Sequence, residues 1–139
     1  ERFTQTSGIR NRTSQTLSTP LRAPMKKTKR PWGWYSVLNH EPELEYKVKE
    51  LEIAPGCALS DQRHFNRAEH WYVLEGTVKI ETEWKKLKDT IHLTAHSGGY
   101  HIGKRVWHRA SNPTANPVRI LEVQYGKACN EDDIERRNQ

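Results

Sequence analysis

The sequence predicts an all-β fold, a sandwich or a barrel, and two observations carry this prediction. Nine short runs along the chain have the β-branched, aromatic or alternating residues of strands. Turn signals separate these runs, among them Ala54-Pro55-Gly56 and Asn112-Pro113. Short strands at such even spacing are typical of all-β sandwiches and barrels. At 139 residues the chain is long enough for one domain with a single core.

The predicted elements follow a polar N-terminal stretch. Residues 1–24 are rich in Thr, Ser, Arg, Asn and Gln and have almost no apolar periodicity, so we expect them to be disordered, or ordered only by packing on a neighbouring chain. The only methionine is Met25, and we infer that it is the natural start of the protein. The predicted organisation is a flexible extension over residues 1–28 and a single domain over residues 29–137.

Nine strands are predicted inside this domain, each lying between turn signals. They are Trp34–Leu38, Tyr46–Ile53, Leu59–His64, His70–Glu75, Thr77–Glu83, Thr90–Leu93, Gly99–Ile102, Val106–Ala110 and Val118–Tyr125. One short helix is predicted at Glu131–Arg137, because its acidic residues come early and its arginines late, which complements the helix dipole.

Composition and charge narrow the classes of function. The net charge is +6, with basic residues crowded into 22–30 and acidic residues into 131–135. Few aromatics interleave with the basic run and no recognition-helix pattern is visible, which argues against nucleic acid as a partner. No apolar run approaches the roughly 18 residues of a membrane span. Cys57 and Cys129 have no metal or redox spacing and no export signal precedes them, which predicts reduced thiols and a cytoplasmic location.

One region carries four potential metal ligands. Gln62 and His64 lie two residues apart and therefore share one face of a strand. Glu69 follows after room for a tight turn and a return strand, and His108 lies in a separate strand-like run. If these strands pair, an amide, two imidazoles and a carboxylate converge on one point, which is a plausible ligand set for a divalent metal. The alternative is that these polar side chains line an empty barrel.

The same residues resemble a known superfamily. Gly56-x5-Gln62-x-His64-x4-Glu69-x6-Gly76 resembles the first cupin motif, with Gln in place of its first His. Gly103-x-Arg105-x2-His108-x3-Asn112 resembles the second motif, although Gly103-Lys104-Arg105 replaces the usual Pro-x-Gly. The implied fold is a double-stranded β-helix, or jelly-roll, barrel.

A closer resemblance is to the cupin domain of type II mannose-6-phosphate isomerases, which often follows a mannose-1-phosphate guanylyltransferase domain. It covers roughly residues 29–137 and is carried by Arg30-Pro-Trp-Gly-Trp-Tyr35, Arg67-Ala-Glu-His-Trp71, Glu122-Val-Gln124 and Glu131-Asp-Asp-Ile134. This resemblance implies interconversion of mannose 6-phosphate and fructose 6-phosphate with a divalent metal, and it points to zinc. Nitrogen and oxygen ligands without thiolates suit Zn²⁺, with other divalent metals possible.

Such an isomerisation needs a metal, a proton-transferring base and cations for the phosphate. Glu122 is the candidate base if burial raises its pKa, with a metal-activated water or a salt-bridge role as alternatives. Arg109 is a second candidate catalytic residue, because it flanks the ligand His108. The candidate substrate-binding residues flank a ligand or share a strand face with residues expected to point into the barrel. They are Lys49, Arg67, Arg105, Gln124 and Trp71.

Two further interpretations stay open at this point. The chain could be a non-catalytic cupin that binds sugar phosphates or nucleotide sugars, or, by fold analogy alone, a metal oxygenase. We also expect a homodimer, in which the Trp32–Tyr35 segment is exchanged with the neighbouring sheet; packing of this segment under its own barrel is the alternative.

Overall fold

The computed structural model describes residues 25–127 and 129–137, which form eleven β-strands and one 3-10 turn, Pro42–Leu44. The prediction made for residues 1–24 lies outside this range. The strands are β1 Thr28–Arg30, β2 Gly33–Glu41, β3 Tyr46–Ile53, β4 Asp61–Arg63, β5 Arg67–Glu75, β6 Thr77–Trp84, β7 Leu87–Thr94, β8 Gly99–Ile102, β9 Trp107–Ser111, β10 Val118–Gly126 and β11 Glu135–Arg137.

Two antiparallel sheets build the molecule, and the all-β prediction is confirmed. One has six strands in the order β1-β2-β3-β10-β5-β8, and the other has five in the order β11-β4-β9-β6-β7. Every second residue of β3 and β10 is buried, as expected for strands with one face toward a core. The inner faces of both sheets supply the apolar core, whose buried members include Ile53, Trp71, Ile80, Val118 and Ile120.

The inner faces change from apolar to polar along the same strands. On β3 the buried residues Leu51 and Ile53 are followed, toward the other end of the strand, by buried Lys49 and Lys47. On β10, buried Glu122 is the register partner of Lys49. The apolar end stabilises the fold, and the polar end is where a functional site can lie, since buried polar groups need partners or a role.

The predicted helix at Glu131–Arg137 is wrong. Residues 129–137, here called the C-terminal strap, instead turn and then pair β11 with β4, Arg136 opposite Gln62. Local charge order favoured a helix, but seven residues make a marginal helix in water. Long-range contacts outweigh that preference, because the carboxylate of Asp133 accepts hydrogen bonds from the backbone N–H groups of Phe65 and Asn66, both at 2.9 Å.

The N-terminal segment of the described chain belongs to the six-stranded sheet. β1 and β2 form a hairpin in which Thr28 lies opposite Tyr35, and the Lys26 carbonyl accepts a hydrogen bond from Ser36 at 2.9 Å. Trp32 and Tyr35 pack against the core of their own chain. Exchange of the Trp32–Tyr35 segment between two chains stays a prediction.

Two other findings bear on the sequence predictions. Cys57 and Cys129 are free cysteines. Among the residues that the structure describes, no helix has the length and apolar character needed to cross a membrane.

Candidate metal centre and adjoining cavity

Three predicted ligands converge at the polar end of the core. His64 directly follows β4, Glu69 lies in β5 and His108 lies in β9, so that both sheets contribute. One potential ligand atom from each residue lies within 4.8 Å of the other two. His64 Nε2 is 3.1 Å from Glu69 Oε1, and His108 Nε2 is 3.5 Å from Glu69 Oε2. All three residues are at most 2 % exposed, and ionisable side chains are rarely buried to this extent unless they pair with one another.

The backbone fixes the orientation of both imidazoles. His64 Nδ1 lies 2.6 Å from the Asp133 carbonyl oxygen, and His108 Nδ1 lies 2.9 Å from that of Val106. A carbonyl oxygen only accepts, so each Nδ1 carries its proton, and in the neutral ring Nε2 keeps its lone pair. This is how metal-binding histidines are commonly held. His108 Nε2 is buried and has no hydrogen-bond partner among the described residues, as expected for an atom meant to bind a cation.

Glu69 is held as a carboxylate. Burial alone would raise its pKa, but the close approach of His108 and His64 holds the pKa well below its usual range. Burial would likewise lower the pKa of His108, whereas the neighbouring carboxylate raises it. Trp71 Nε1 donates to Glu69 Oε2 at 3.1 Å, and Arg67 donates to Glu69 Oε1 from Nε at 3.3 Å.

Gln62 lies beside this triad through strand pairing. It is the register partner of His108, on β4, and its Oε1 accepts a hydrogen bond from Ser60 Oγ at 2.9 Å. The amide oxygen of Gln62 is an uncharged metal ligand that could complete a set of nitrogen and oxygen ligands. Because no thiolate is present, the residues fit a borderline divalent cation such as Zn²⁺.

A cavity of about 250 Å³ adjoins the triad and opens between β3, β10, β4 and the C-terminal strap. Trp32, Tyr35, Leu51, Leu59 and Ile134 give it apolar walls. Its polar lining consists of Arg30, Lys49, Ser60, Gln62, Arg67, Glu122, Gln124, Glu131 and Arg136. His64, Glu69 and His108 are not part of the lining.

The cations of the cavity differ in how far they are already neutralised. Lys49 Nζ lies 2.6 Å from Glu131 Oε1. Arg67 contacts Glu69 and also donates to the Asn130 carbonyl at 3.0 Å. Arg30 and Arg136, in contrast, form no ion pair with any described residue. These two arginines are therefore the cations that remain available to an anionic group.

Glu122 has the burial that a general base requires. It is 5 % exposed on β10, between Lys49 on β3 and Trp71 on β5, and Gln124 Nε2 donates to its Oε1. Burial, and after it the negative charge of Glu69, raises its pKa. Gln124 Oε1 is buried without a hydrogen-bond partner among the described residues, so it can accept from a ligand hydroxyl.

Arg109 and Arg105 are not brought to this cavity. Arg109 points to the opposite face of β9 from His108, because neighbouring residues of a strand alternate, and it lines a separate outer cavity. The Arg105 side chain is exposed, and only its backbone N–H reaches the site, donating to the His64 carbonyl at 2.6 Å. Trp71 is placed to hold Glu69 and is absent from the cavity lining. His70, as expected, faces away from Glu69, and it contacts Tyr72 and His101.

The C-terminal strap holds residues that were not predicted as part of the site. Asp133 contacts His64, and Glu131 contacts Lys49. Arg136 lines the cavity. The signal was the acidic cluster at 131–133, which we interpreted as the first turn of a helix.

Residues 21–139 match the family described as "Mannose-6-phosphate isomerase C-terminal". The chain is 40 % identical to the alginate biosynthesis protein AlgA of Pseudomonas aeruginosa over 107 residues, covering 77 % of this chain and 21 % of AlgA. It is 36 % identical to the xanthan biosynthesis protein XanB of Xanthomonas campestris over 111 residues, covering 80 % and 22 %. Identity to a mannose-1-phosphate guanylyltransferase of Salmonella montevideo is 34 %, covering 77 % and 21 %. The chain thus spans about a fifth of the length of these relatives.

Solved structures with the same fold are more distant in sequence. The capsular polysaccharide assembling protein CapF of Staphylococcus aureus superposes with a TM-score of 0.75 at 13 % identity, covering 85 % of this chain and 35 % of CapF. Oxalate decarboxylase of Lactobacillus farciminis gives a TM-score of 0.69 at 18 % identity, covering 81 % and 33 %. These likenesses establish the cupin-type double-stranded β-helix fold and nothing further about activity.

Proposed function

Because the chain belongs to the family of mannose-6-phosphate isomerase C-terminal domains, we propose that it is a metal-dependent isomerase of mannose 6-phosphate and fructose 6-phosphate. The observation that carries this proposal is the position of Glu122, a buried carboxyl with a raised pKa, in a cavity beside a triad suited to a metal. The names of the relatives, which refer to alginate, xanthan and mannose 1-phosphate, support a role in precursor metabolism for polysaccharides.

His64, Glu69 and His108, with Gln62, would hold the cation, for which we propose zinc. When bound, such a cation polarises the oxygens at C1 and C2 of the sugar. The triad carries one formal negative charge, so a divalent ion would keep net positive charge at the site.

Glu122 would transfer the proton. Its carboxylate takes the proton from C2 of mannose 6-phosphate and returns it to C1, while the hydroxyl proton on O2 passes to O1, and the product is fructose 6-phosphate. A base is most effective when its pKa lies near the working pH, and the raised pKa moves Glu122 in that direction. The hydrogen bond from Gln124 holds one carboxylate oxygen, so the other is free to act.

Arg30 and Arg136 would bind the phosphate. Guanidinium groups pair with phosphate oxygens through two parallel hydrogen bonds. Lys49, which was predicted for this role, is instead paired with Glu131, and Arg67 is paired with Glu69. Tyr35 and Trp32 would face the sugar ring. The cytoplasmic location stays a prediction.

The test is a coupled assay with mannose 6-phosphate on protein of measured metal content. We expect turnover that a chelator abolishes and that His64→Ala loses. His70→Ala is the matched control, because His70 lies on the opposite face of β5, and it should keep its activity. Arg136→Gln should raise KM at least tenfold with a smaller change in kcat. A folded, zinc-loaded protein without turnover of any hexose phosphate would refute the proposal.

A second candidate function is favoured by one observation. The three triad residues do not line the cavity, and Arg67, which does, lies 3.2 Å from His64 Nε2. A cavity closed from the triad by Arg67 suits a non-catalytic domain that binds sugar phosphates. Saturable binding of mannose 6-phosphate by the zinc-loaded protein, without turnover, would identify this function.

A further inference from the structure

We infer a second ligand site on the outer face of the five-stranded sheet, suited to a nucleoside diphosphate. A groove of about 290 Å³ lies there, on the far side of β4 and β9 from the cavity. Lys85, Lys86, Arg105, Trp84 and Trp107 are among its lining residues, and we call it the outer basic groove. It is separate from the proposed isomerase site, because none of these residues lines that cavity.

Three of its cations are held in a backbone conformation that their side chains disfavour. Lys85, Lys86 and Arg105 have φ values of 49°, 68° and 65°. They make up three of the five non-glycine residues with positive φ in the described part of the chain. Lys85 and Lys86 form the two-residue turn between Trp84 and Leu87, a position where asparagine followed by glycine is preferred. Strain concentrated at positively charged residues indicates that the charge itself is needed there.

The same three cations are free to bind an anion. Arg63 pairs with Glu135 at 2.8 Å, and Arg137 pairs with Glu83. Both of these arginines also stack on Trp107, at 4.6 and 4.4 Å from the ring centroid. Lys85, Lys86 and Arg105, in contrast, form no ion pair with any residue in the described ranges. Three unpaired cations around one groove suit a group with several negative charges, such as a diphosphate.

Trp84 adds a surface for a planar ring. It is 44 % exposed at the end of β6, and Lys85 Nζ lies 5.4 Å from its ring centroid. Any nucleotide base can stack on an exposed aromatic side chain, because every base has a planar π-face. A diphosphate on the lysines and a base on Trp84 together define a nucleoside diphosphate as the ligand class.

The neighbouring surface favours a small ligand over a nucleic acid strand. An adjoining cavity of about 210 Å³ on the same sheet is lined by Asp61, Glu81, Glu83 and Asp89, against three cations. A long polyanion leaving the groove in this direction would meet these carboxylates. The groove volume also lies close to the lower end of the range of small-molecule sites, about 300–1,000 Å³.

The test is calorimetric titration of the full chain with GDP and with ADP. We expect saturable binding of both. Lys85→Asn combined with Lys86→Gly removes both charges and gives the turn its preferred residues, so this variant should fold with an equal or higher melting temperature. Its affinity for the nucleotides should fall at least tenfold. Lys26→Asn with Lys127→Asn, which removes two exposed lysines elsewhere, is the matched control and should bind as the unchanged protein does.

Trp84→Ala separates the base from the phosphates. It should reduce the affinity for GDP to that for inorganic pyrophosphate while leaving pyrophosphate binding unchanged. Absence of nucleotide binding, or equal binding by the Lys85/Lys86 double variant, would overturn the inference. Binding of a single-stranded oligonucleotide but not of GDP would assign the groove to nucleic acid instead. Loss of GDP binding in Arg136→Gln would place the nucleotide in the inner cavity. None of these outcomes depends on isomerase turnover.

Discussion

At the scale of single residues, two buried carboxylates are treated in opposite ways by their surroundings. Glu69 has a donor on each oxygen, from Arg67 and from Trp71, and the close approach of the two histidines holds its pKa well below the usual range. Glu122 has one amide donor, and burial together with the charge of Glu69 raises its pKa. Pairs of carboxyl groups whose pKa values are pushed apart in this way are typical of sites that assign them different roles.

Replacing the buried Glu122 by glutamine should stabilise the protein and stop the proposed isomerisation. A carboxyl whose folded pKa is raised contributes stability below its unfolded pKa, and this contribution is lost as pH rises through the folded pKa. We therefore expect Glu122→Gln to raise the melting temperature increasingly as pH rises from the ordinary glutamate pKa to the folded one. Each unit by which the pKa is raised corresponds to about 1.4 kcal/mol.

Thermal unfolding from pH 4 to pH 8 measures the effect, with the exposed Glu43→Gln as control. Activity of Glu122→Gln should fall about 10²–10⁴-fold, as when a general base is removed. In the unchanged protein, kcat/KM should fall as pH drops through the raised pKa of Glu122. A variant that stays active would show that Glu122 is not the base, and one that is destabilised at every pH would contradict the raised pKa.

At the scale of elements, strands were predictable and the C-terminal strap was not. Every one of the nine predicted strands overlaps an observed one, because the two-residue alternation is a local signal. β1 was missed, since three residues are too few to show an alternation. The strap gave a helical signal because its true partners lie far away, as with Asp133 and Phe65, 68 positions apart. Long-range pairing of this kind leaves no local pattern.

In the metal centre, too, local spacing was predictable and long-range contacts were not. The spacing of Gln62, His64 and Glu69 predicted which ligands share a strand or a return strand. The spacing could not predict which group orients the His64 imidazole, because the Asp133 carbonyl that does so comes from the distant C-terminal strap. The prediction that Arg109 belongs to the site is wrong. It relied on the position of Arg109 next to His108 in the sequence, but adjacent residues of a strand face opposite ways.

Asp133→Ala should weaken both the fold and the metal site. The backbone N–H groups of Phe65 and Asn66 would lose their acceptor, and at these partly exposed positions each lost hydrogen bond is worth about 0.5–1.5 kcal/mol. The Asp133 backbone carbonyl that orients His64 would remain, but it would lose the side-chain hydrogen bonds that fix its position. Loss of such outer contacts typically reduces metal affinity about 10–100-fold.

Thermal unfolding and a zinc competition titration measure these two losses. Asp132→Ala is the matched control, because Asp132 is exposed and its side chain forms no hydrogen bond or ion pair with any described residue. Asp133→Asn keeps one acceptor oxygen and should recover part of the zinc affinity. Equal zinc affinity in Asp133→Ala and Asp132→Ala would contradict the positioning role of Asp133.

At the scale of the whole molecule, the triad joins the two sheets. Glu69 comes from the six-stranded sheet, while His108 belongs to the five-stranded sheet and His64 directly follows its strand β4. A cation held by all three would connect the sheets at the polar end of the core. Binding only to the folded state would therefore add to the free energy of unfolding.

Zinc should accordingly raise the melting temperature of the chelator-treated protein. At a free concentration 100 times the Kd, the linkage is worth about 2.7 kcal/mol. For a domain of this size that is roughly 10 °C. Differential scanning calorimetry with and without zinc measures the shift, and His64→Ala should not show it. An identical shift in His64→Ala would place the stabilising zinc elsewhere on the protein.

The origin of the His64 carbonyl partner has a consequence for synthesis on the ribosome. The first half of the chain contributes His64 and Glu69, and His108 follows, but the Asp133 carbonyl that orients His64 lies 69 positions after it. The nascent chain therefore exposes all three ligands before the centre can assume its final geometry. β11, the most C-terminal strand of the described residues, also pairs with β4. Capture of a cation in the correct geometry would thus have to follow the docking of the C-terminal strap, and it would report that the strap is in place.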